Sequence, residues 1–470
     1  MALKRLRLVQ RRKAVGYTQE ELAERLGVER TTVVRWEAGD TEPQPWQRPR
    51  IAELLKVTMN ELHELLDAVT EVPGRREGYT LVSSVPLDFS LSPSHTVQVM
   101  EGFSGHDLAS RRHVLADMAL FTGSALVRPV RQWAASMPVI PLQPQAVGPD
   151  EIDELERAVQ LFRRWDASGA GGLRRKAVVG QLNSVTETLS EHLPPTVEQR
   201  LFGIAAELAQ LAGWMAYDQG LYGLAQRYYM LALHACREAG TPALGAKVIG
   251  DMTQLSTALG NYEDSLHLVH TALYSLPRSG SELVRSELLG LESRAYAQLG
   301  GRESANSVRA AEACVEVYDD GTAEPAADWM HYMNAAEVGC LAANTYIELA
   351  LRADDPVRAQ RYAASAERHT LQARASRGQL YTRSRIFDEI RLAKVRLAQD
   401  EPGESAAVGM RSVDLAEGTR STLVLEWLVR FDTELESRYP RHPDVEQFRD
   451  RLRDYVRKVS PQRELHEQRD

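Results

Sequence analysis

Apolar residues recur at three- and four-residue intervals along most of the chain, the spacing of amphipathic helices. Residues 4–66 read as five short helices. Gly16, Gly27 and Gly39 each close an amphipathic stretch, as glycine does at helix ends. Thr18 with Glu21 three residues on forms a capping box and predicts a helix over 19–26. Gly27-Val28 is a tight turn, a helix over 30–38 follows, and Pro43, Pro45 and Pro49 lead into helices over 50–55 and 60–66. From Asp67 to about Gly105 the periodicity gives way to Ser, Pro, Gly and Thr. Helical spacing returns over 108–133 and breaks again at Pro138, Pro141 and Pro144. The pattern therefore predicts an all-α chain with a helical domain over 1–66, a linker over 67–148 that holds one helical segment, a large helical domain over 149–459, and a polar tail over 460–470.

Within the large domain a pattern repeats. Gly220 is followed by Ala225, Tyr229 and Ala232, and Gly260, 40 residues later, by Ser265, Val269 and Ala272 at the same offsets. Weaker copies lie at Gly300 with Ala310 and Ala313, at Ala359 with Ala363 and Ala366, and at Ala406 with Met410 and Val413. Small residues at such offsets let paired helices approach closely. The pattern resembles the tetratricopeptide repeat over about 200–415, which implies an α-solenoid: each helix pair cannot bury its own apolar face, so neighbours must stack. Residues 421–459 would be closing helices.

Composition supports helices, since aromatic residues are only 7% and hydrophobic residues 43% of the chain. No apolar run approaches the ~20 residues that span a bilayer; the best, 114–127, carries Asp117 and Gly123. Basic residues at the amino terminus precede no apolar core of a secretory signal, so a cytoplasmic protein is expected. Arg111-Arg112 before an apolar run is internal, which argues against twin-arginine export. Cys236, Cys314 and Cys340 are widely spaced, fit neither a disulfide framework nor a zinc site, and read as small buried hydrophobes. His267 with His270, or His234 with Cys236, lack further ligands, so no metal is expected.

The net charge of −9 is unevenly spread: residues 1–66 carry 12 Lys or Arg against 10 Asp or Glu, and the rest 44 against 55. Six cations and no anion fall within the first 13 residues. A basic amino-terminal face on an acidic body points to a local polyanion contact.

In the segment 19–37, Ala23 takes the place where two helices cross and Gly27 permits a left-handed turn. Leu22, Leu26, Val28, Val33 and Trp36 fill the angle between the helices, at helix-turn-helix spacing. This segment, with its Val33-Val34-Arg35-Trp36-Glu37-Ala38-Gly39 ending, closely resembles the Cro/repressor (xenobiotic-response) class of helix-turn-helix proteins. The resemblance implies that Gln19, opening the first of the two helices, braces a phosphate and sometimes a base. It also implies that Arg30, Thr31 and Arg35 face the major groove, where arginine fits a guanine edge and threonine a polar edge or a thymine methyl. Thr18, Thr32 and Arg48, with Lys4, Arg5, Arg11 and Arg12, are candidates for phosphate contacts, which position rather than specify. Glu29 either reads a cytosine amino group or points away. Relatives of this class bind pseudo-palindromes as dimers, so double-stranded operator DNA and a second copy of the chain are the expected partners.

The order of domains resembles bacterial, notably actinobacterial, regulators that join this helix-turn-helix to a tetratricopeptide-like array; Phe162-Arg163-Arg164-Trp165-Asp166 fits that group too. In relatives that receive secreted peptides the concave face of the array grips an extended peptide. Asparagine suits such work, because one amide serves both a backbone donor and an acceptor. Asn183, Asn334 and Asn344 are the candidates, with Asn261 and Asn306 behind them. The aromatic group Trp214, Tyr217, Tyr222, Tyr228 and Tyr229 reads as core between helices. The chain has no GxxxxGK[ST], HExxH or GxSxG, so an enzyme is not expected, nor a cofactor. The expected function is a nucleoid-associated transcription regulator whose array dimerises and senses a ligand or partner. The alternatives are an interaction scaffold, or a peptide or small-molecule receptor, with DNA binding subsidiary.

Overall fold

A computed structural model describes residues 8, 11–12, 15, 17–26, 28, 30–38, 43, 48–55, 57, 62 and 66 of an amino-terminal unit. In a second unit it describes 92–109, 118–137, 150–167, 173–191, 193–277, 281–321, 327–378, 381–419 and 421–459. The two compact units are Met1–Tyr79 and Thr80–Asp470. The described residues are all-helical, with no strand among them. The part of the expected linker over 67–91, the Arg111-Arg112 pair, Lys4, Arg5, Gly27, Glu29 and the tail 460–470 lie outside the described residues.

In the amino-terminal unit, α1 (Gln19–Leu26), α2 (Arg30–Ala38) and α3 (Arg48–Leu55) enclose one core. Helix α1 starts as its sequence requires. The Thr18 backbone N–H donates to Glu21 Oε2 at 2.7 Å while Glu21 N–H donates to Thr18 Oγ1 at 3.1 Å, so two otherwise orphaned donors are satisfied. Those bonds hold the Glu21 carboxyl below its usual range. Leu22, Ala23, Val33, Trp36, Ile51 and Leu55 are buried. Helix α3 begins two residues before the expected 50, with Pro49 in its first turn, where the missing N–H costs nothing.

The second unit contains α4 (Pro93–Ala109), α5 (Ser124–Ser136), α6 (Asp150–Ala167), α7 (Leu173–Leu189), α8 (Pro195–Asp218), α9 (Tyr222–Ala239), α10 (Pro242–Ala258) and α11 (Tyr262–Ser275). It continues with α12 (Glu282–Leu299), α13 (Ser304–Gly321), α14 (Ala335–Arg352), α15 (Pro356–Ser376), α16 (Thr382–Ala398), α17 (Pro402–Ala416), α18 (Thr422–Arg438) and α19 (Pro443–Val459). From α8 onward each helix packs against the next, and each of α8, α10, α12, α14 and α16 also packs on the next but one. The repeated small positions sit in these seams. Ala225, Tyr229 and Ala232 are buried, as are Ser265, Val269 and Ala272, and a Cβ at Gly213 would lie 2.7 Å from the Tyr229 ring.

The described residues 92–109 and 118–137, read above as part of a linker, are instead built into this unit. Val97, Met100 and Phe103 of α4 and Leu126, Val130 and Trp133 of α5 belong to its main core. The expected helical segment over 108–133 is not continuous, since 118–122 are non-helical and α5 starts at Ser124, whereas α4 lies mostly in the stretch read as aperiodic. The extended stretch before α5 is held by side chains far away in sequence. Gln226 accepts from Phe121 N–H at 2.8 Å and donates to Phe121 O at 2.9 Å, and Arg227 donates to Ala119 O. Gly123, with φ of 57°, turns the chain and donates its N–H to Asp264. These partners are a hundred residues or more distant, so no local pattern could announce them.

All three cysteines are buried and free. Burial pushes the thiols of Cys236 and Cys314 up to about 12 and raises that of Cys340 as well. The folded protein at pH 8 is therefore expected to resist iodoacetamide, with all three thiols labelled only in denaturant. Mass spectrometry of the alkylated chain checks this, and rapid labelling of any one in the folded state would contradict it.

Candidate functional site

Helix α2 separates its residues cleanly. Val33, Trp36 and Glu37 face inward, while Arg30, Thr31, Val34 and Arg35 are exposed along the opposite side, with Thr32 half-buried. The 3.6-residue period puts Arg30 over Val34 and Thr31 over Arg35, so four side chains form one short row. Arg30 Nε meets Glu20 Oε1 at 2.9 Å in a solvent-exposed pair. Val34, 37% exposed, was not singled out from the sequence; an apolar residue out of phase with the buried stripe was the signal.

Behind this row lies a buried polar cluster. Arg12 Nε donates to Glu37 Oε1 at 2.5 Å and its Nη2 to Glu37 Oε2 at 3.2 Å, while its Nη1 donates to the Tyr17 carbonyl at 2.7 Å. Gln19 Nε2 donates to Glu37 Oε2 at 2.7 Å. Arg12 and Glu37 are each only 5% exposed. Arg12, expected to reach phosphate, is thus a buried tie between the chain before α1 and the end of α2, because three of its bonds are made inside the domain. Gln19 is half-buried on the same carboxylate, at the start of α1. Arg11 is half-buried and donates to Leu55 O at 2.8 Å, and Arg48 donates to Pro43 O at 3.1 Å. Thr18 is exposed, its hydroxyl engaged in the cap.

The second unit gives the candidate asparagines internal work. Asn334 caps α14, its Oδ1 accepting from Ala336 N–H and Glu337 N–H. Asn344 Oδ1 accepts from Arg391 Nε at 2.9 Å. Asn183 accepts from the Ser104 hydroxyl and donates to Glu187. The structure does not bring the three together: each has its own local partners. Asn306 lies between Glu303 and Arg309. His270 meets Glu292, and His267 meets Arg131.

What does converge in this unit is a cavity of about 150 Å³. Helices α6, α8, α10, α12, α14 and α16 each contribute a charged or polar wall residue. Arg163 is paired with Glu207 and donates to Gln210. Lys247 lies between Asp251 and Glu287, with its ammonium 5.3 Å from the Tyr332 ring centre. Arg383 bridges Asp166 and Asp218 and stacks over Trp214, whose indole N–H donates to Asp166. Arg377 pairs with Glu337 and Asp388. Tyr217, Tyr228 and Tyr229 are buried, whereas Trp214 is only half-buried and lines this cavity. Of the wall residues, Arg163, Asp166 and Trp214 stood out in the sequence; the rest, among them Lys247, Asp251, Glu287, Tyr332 and Arg383, carried no motif that marked them.

No described helix is long and apolar enough to cross a membrane. Residues 8–62 match a family model described as helix-turn-helix. No curated protein and no solved structure matches the chain. The matched residues hold α1, the turn, α2 with its exposed row, and the core beneath them, so the amino terminus of this chain is a helix-turn-helix domain, which supports a role in DNA-binding transcription regulation.

Proposed function

We propose that the chain is a sequence-specific transcription regulator whose α2 enters the major groove of an operator. The observation that carries this reading is the exposed row Arg30, Thr31, Val34 and Arg35 backed by buried Val33 and Trp36. The row has the chemistry of base edges: arginine takes guanine O6 and N7 bidentately, threonine a polar edge, and valine or the threonine methyl packs on a thymine methyl. The Arg30–Glu20 pair is exposed on both sides, contributes little, and yields to a base. Thr18, Gln19, Thr32, Arg11 and Arg48 set the register on phosphates. Arg12 is left out of this interface because it is buried in its own ion pair.

One domain touches few base pairs, so two copies read a pseudo-palindrome with half-sites about 34 Å apart. The helical body holds the copies together as a tetratricopeptide-like array and responds to a ligand or partner. The seams of small residues between consecutive helices support that arrangement. In this reading the protein acts in the cytoplasm, at the nucleoid, and performs no catalysis.

Selection of bound duplexes from random DNA at two salt concentrations tests the proposal, and a palindrome is expected. Arg35→Ala should lose about 1–3 kcal/mol of discrimination at one base position. Arg48→Ala should weaken all sequences alike and flatten the salt dependence. An unchanged selected sequence from the Arg30→Ala, Arg35→Ala double variant would sink the assignment.

A further inference from the structure

The second unit closes on itself. Helices α8, α10, α12, α14, α16 and α18 each pack on the next in that order, and α18 also packs on α8, so the six close a ring. Its apolar interior is nonetheless split. Among the described residues, one core takes in buried side chains from Val97 to Leu341 and, from beyond them, Leu423 alone; a second runs from Ile386 to Tyr455. The two halves meet on both sides of the ring. On one side a small apolar cluster with Ala297, Ile347, Ala366 and Val395 runs from α12 to α16. On the other, where α18 returns to α8, the join is largely polar.

The Ser421 hydroxyl caps α18 by accepting from Val424 N–H, and it donates to Asp218 Oδ1 at 2.7 Å. The Tyr222 hydroxyl donates to Glu426, and Arg430 donates to the Ala258 carbonyl at 2.8 Å. Leu423 and Trp427 add apolar contact, the indole facing the guanidinium of Arg294 on α12. Asp218 is also held from a second side. Arg383 of α16 pairs with its other oxygen at 3.3 Å and with Asp166 of α6 at 3.0 Å. At 9% exposure, this one buried cation ties the second half to two helices of the first. Hydrogen bonds and ion pairs regain water when such a join parts, whereas an apolar join of the same extent does not. The cavity lies between the halves, with Arg163, Trp214 and Lys247 on one side and Tyr381, Arg383 and Ser384 on the other.

We propose that the second unit is a two-jaw clamp that opens at the join of α18 with α8, hinges through α14 and α15, and is held shut by Arg383. Opening parts the walls of the cavity and closing brings them together. The two jaw positions give the helical body two states, and a ligand held between the jaws selects one of them. This inference deepens the response to a ligand or partner proposed above, and rests on that reading for what the motion serves. Jaw separation is measured without DNA or ligand, so the clamp and operator binding fail independently.

The test is pulsed electron paramagnetic resonance on the full-length protein, with spin labels at Glu263→Cys on α11 and Val429→Cys on α18. Both positions are exposed, and the three native thiols are buried. A short separation is expected with Arg383 intact. Arg383→Met keeps the stem and removes the charge, and a second, longer separation should then appear, because Asp166 and Asp218 gain water only as the jaws part. Trp133→Ala is the control: it empties a site inside the first jaw, away from the join, and should keep the short separation. Should Arg383→Met unfold, Glu426→Ala with Arg430→Ala loosens the same join without touching Arg383, and the longer separation is again expected. An unchanged separation in folded Arg383→Met, or in the Glu426→Ala, Arg430→Ala protein, would overturn the proposal. So would the same lengthening in Trp133→Ala, since opening would then follow from any loss of stability.

Discussion

Arg12→Ala is expected to unfold the amino-terminal domain and abolish operator binding with it. The substitution removes three hydrogen bonds at once and leaves the Glu37 carboxylate, 5% exposed, with Gln19 as its remaining donor among those described. Breaking a buried ion pair from one side costs about 3–5 kcal/mol, because the surviving charge stays in a medium that solvates it poorly. A domain of this size holds roughly 3–10 kcal/mol in total, so most of its stability goes. Loss of helical circular dichroism in a small early transition of the full chain, together with loss of DNA binding, checks it. The informative partner is the double variant Arg12→Met, Glu37→Leu, which removes both charges and keeps approximate volume. It should fold and should still bind DNA with an unchanged salt dependence. If it folds but binds with a reduced salt slope, Arg12 contacts phosphate after all.

The second large effect concerns Trp133 and the glycine beneath it. Trp133 is wholly buried, and its indole N–H donates to Leu233 O at 2.8 Å. A Cβ at Gly245 of α10 would lie 2.1 Å and 2.2 Å from two atoms of its ring, closer than real contacts permit. Trp133→Ala should cost about 3–5 kcal/mol, the usual loss for emptying a large aromatic site. Gly245→Ala is the sharper experiment. In an ordinary helix that change stabilises by about 0.5–1 kcal/mol, whereas here overpacking should destabilise by about 1–3 kcal/mol. The sign of the shift in the main urea transition decides the matter. Combining Gly245→Ala with Trp133→Leu should cost less than the sum of the two, because the smaller side chain relieves the clash. Additive losses would mean that the ring and α10 are not in contact.

These two sites mark the limit of what local pattern could reveal. The spacing and capping signals belong to neighbours in sequence, and they were legible. Helices α1 and α2 have the bounds that Thr18, Glu21 and the apolar period require, and the small residues at Ala225, Ala232, Ser265 and Ala272 lie in helix seams. The row Arg30, Thr31 and Arg35 was readable for the same reason, since one helical period fixes which residues share a face.

What a polar residue does was not legible, because that depends on partners remote in the chain. Arg12 reads as a surface cation until Glu37, 25 residues away, claims it. Asn334 and Asn344 read as free amides, yet one caps α14 and the other accepts from Arg391 on α16. A segment rich in Ser and Pro reads as linker until the core of the second unit supplies a surface for Val97, Met100 and Phe103. The cavity is the extreme case, since its walls come from six helices and no two of its ion pairs are announced by a common motif. Helix periodicity and capping act over a turn or two and so are written in the sequence alone. Burial, the pairing of charges between helices and the oxygen of Glu287 left without a donor among the described residues exist only once distant helices pack, and those the tertiary structure decided.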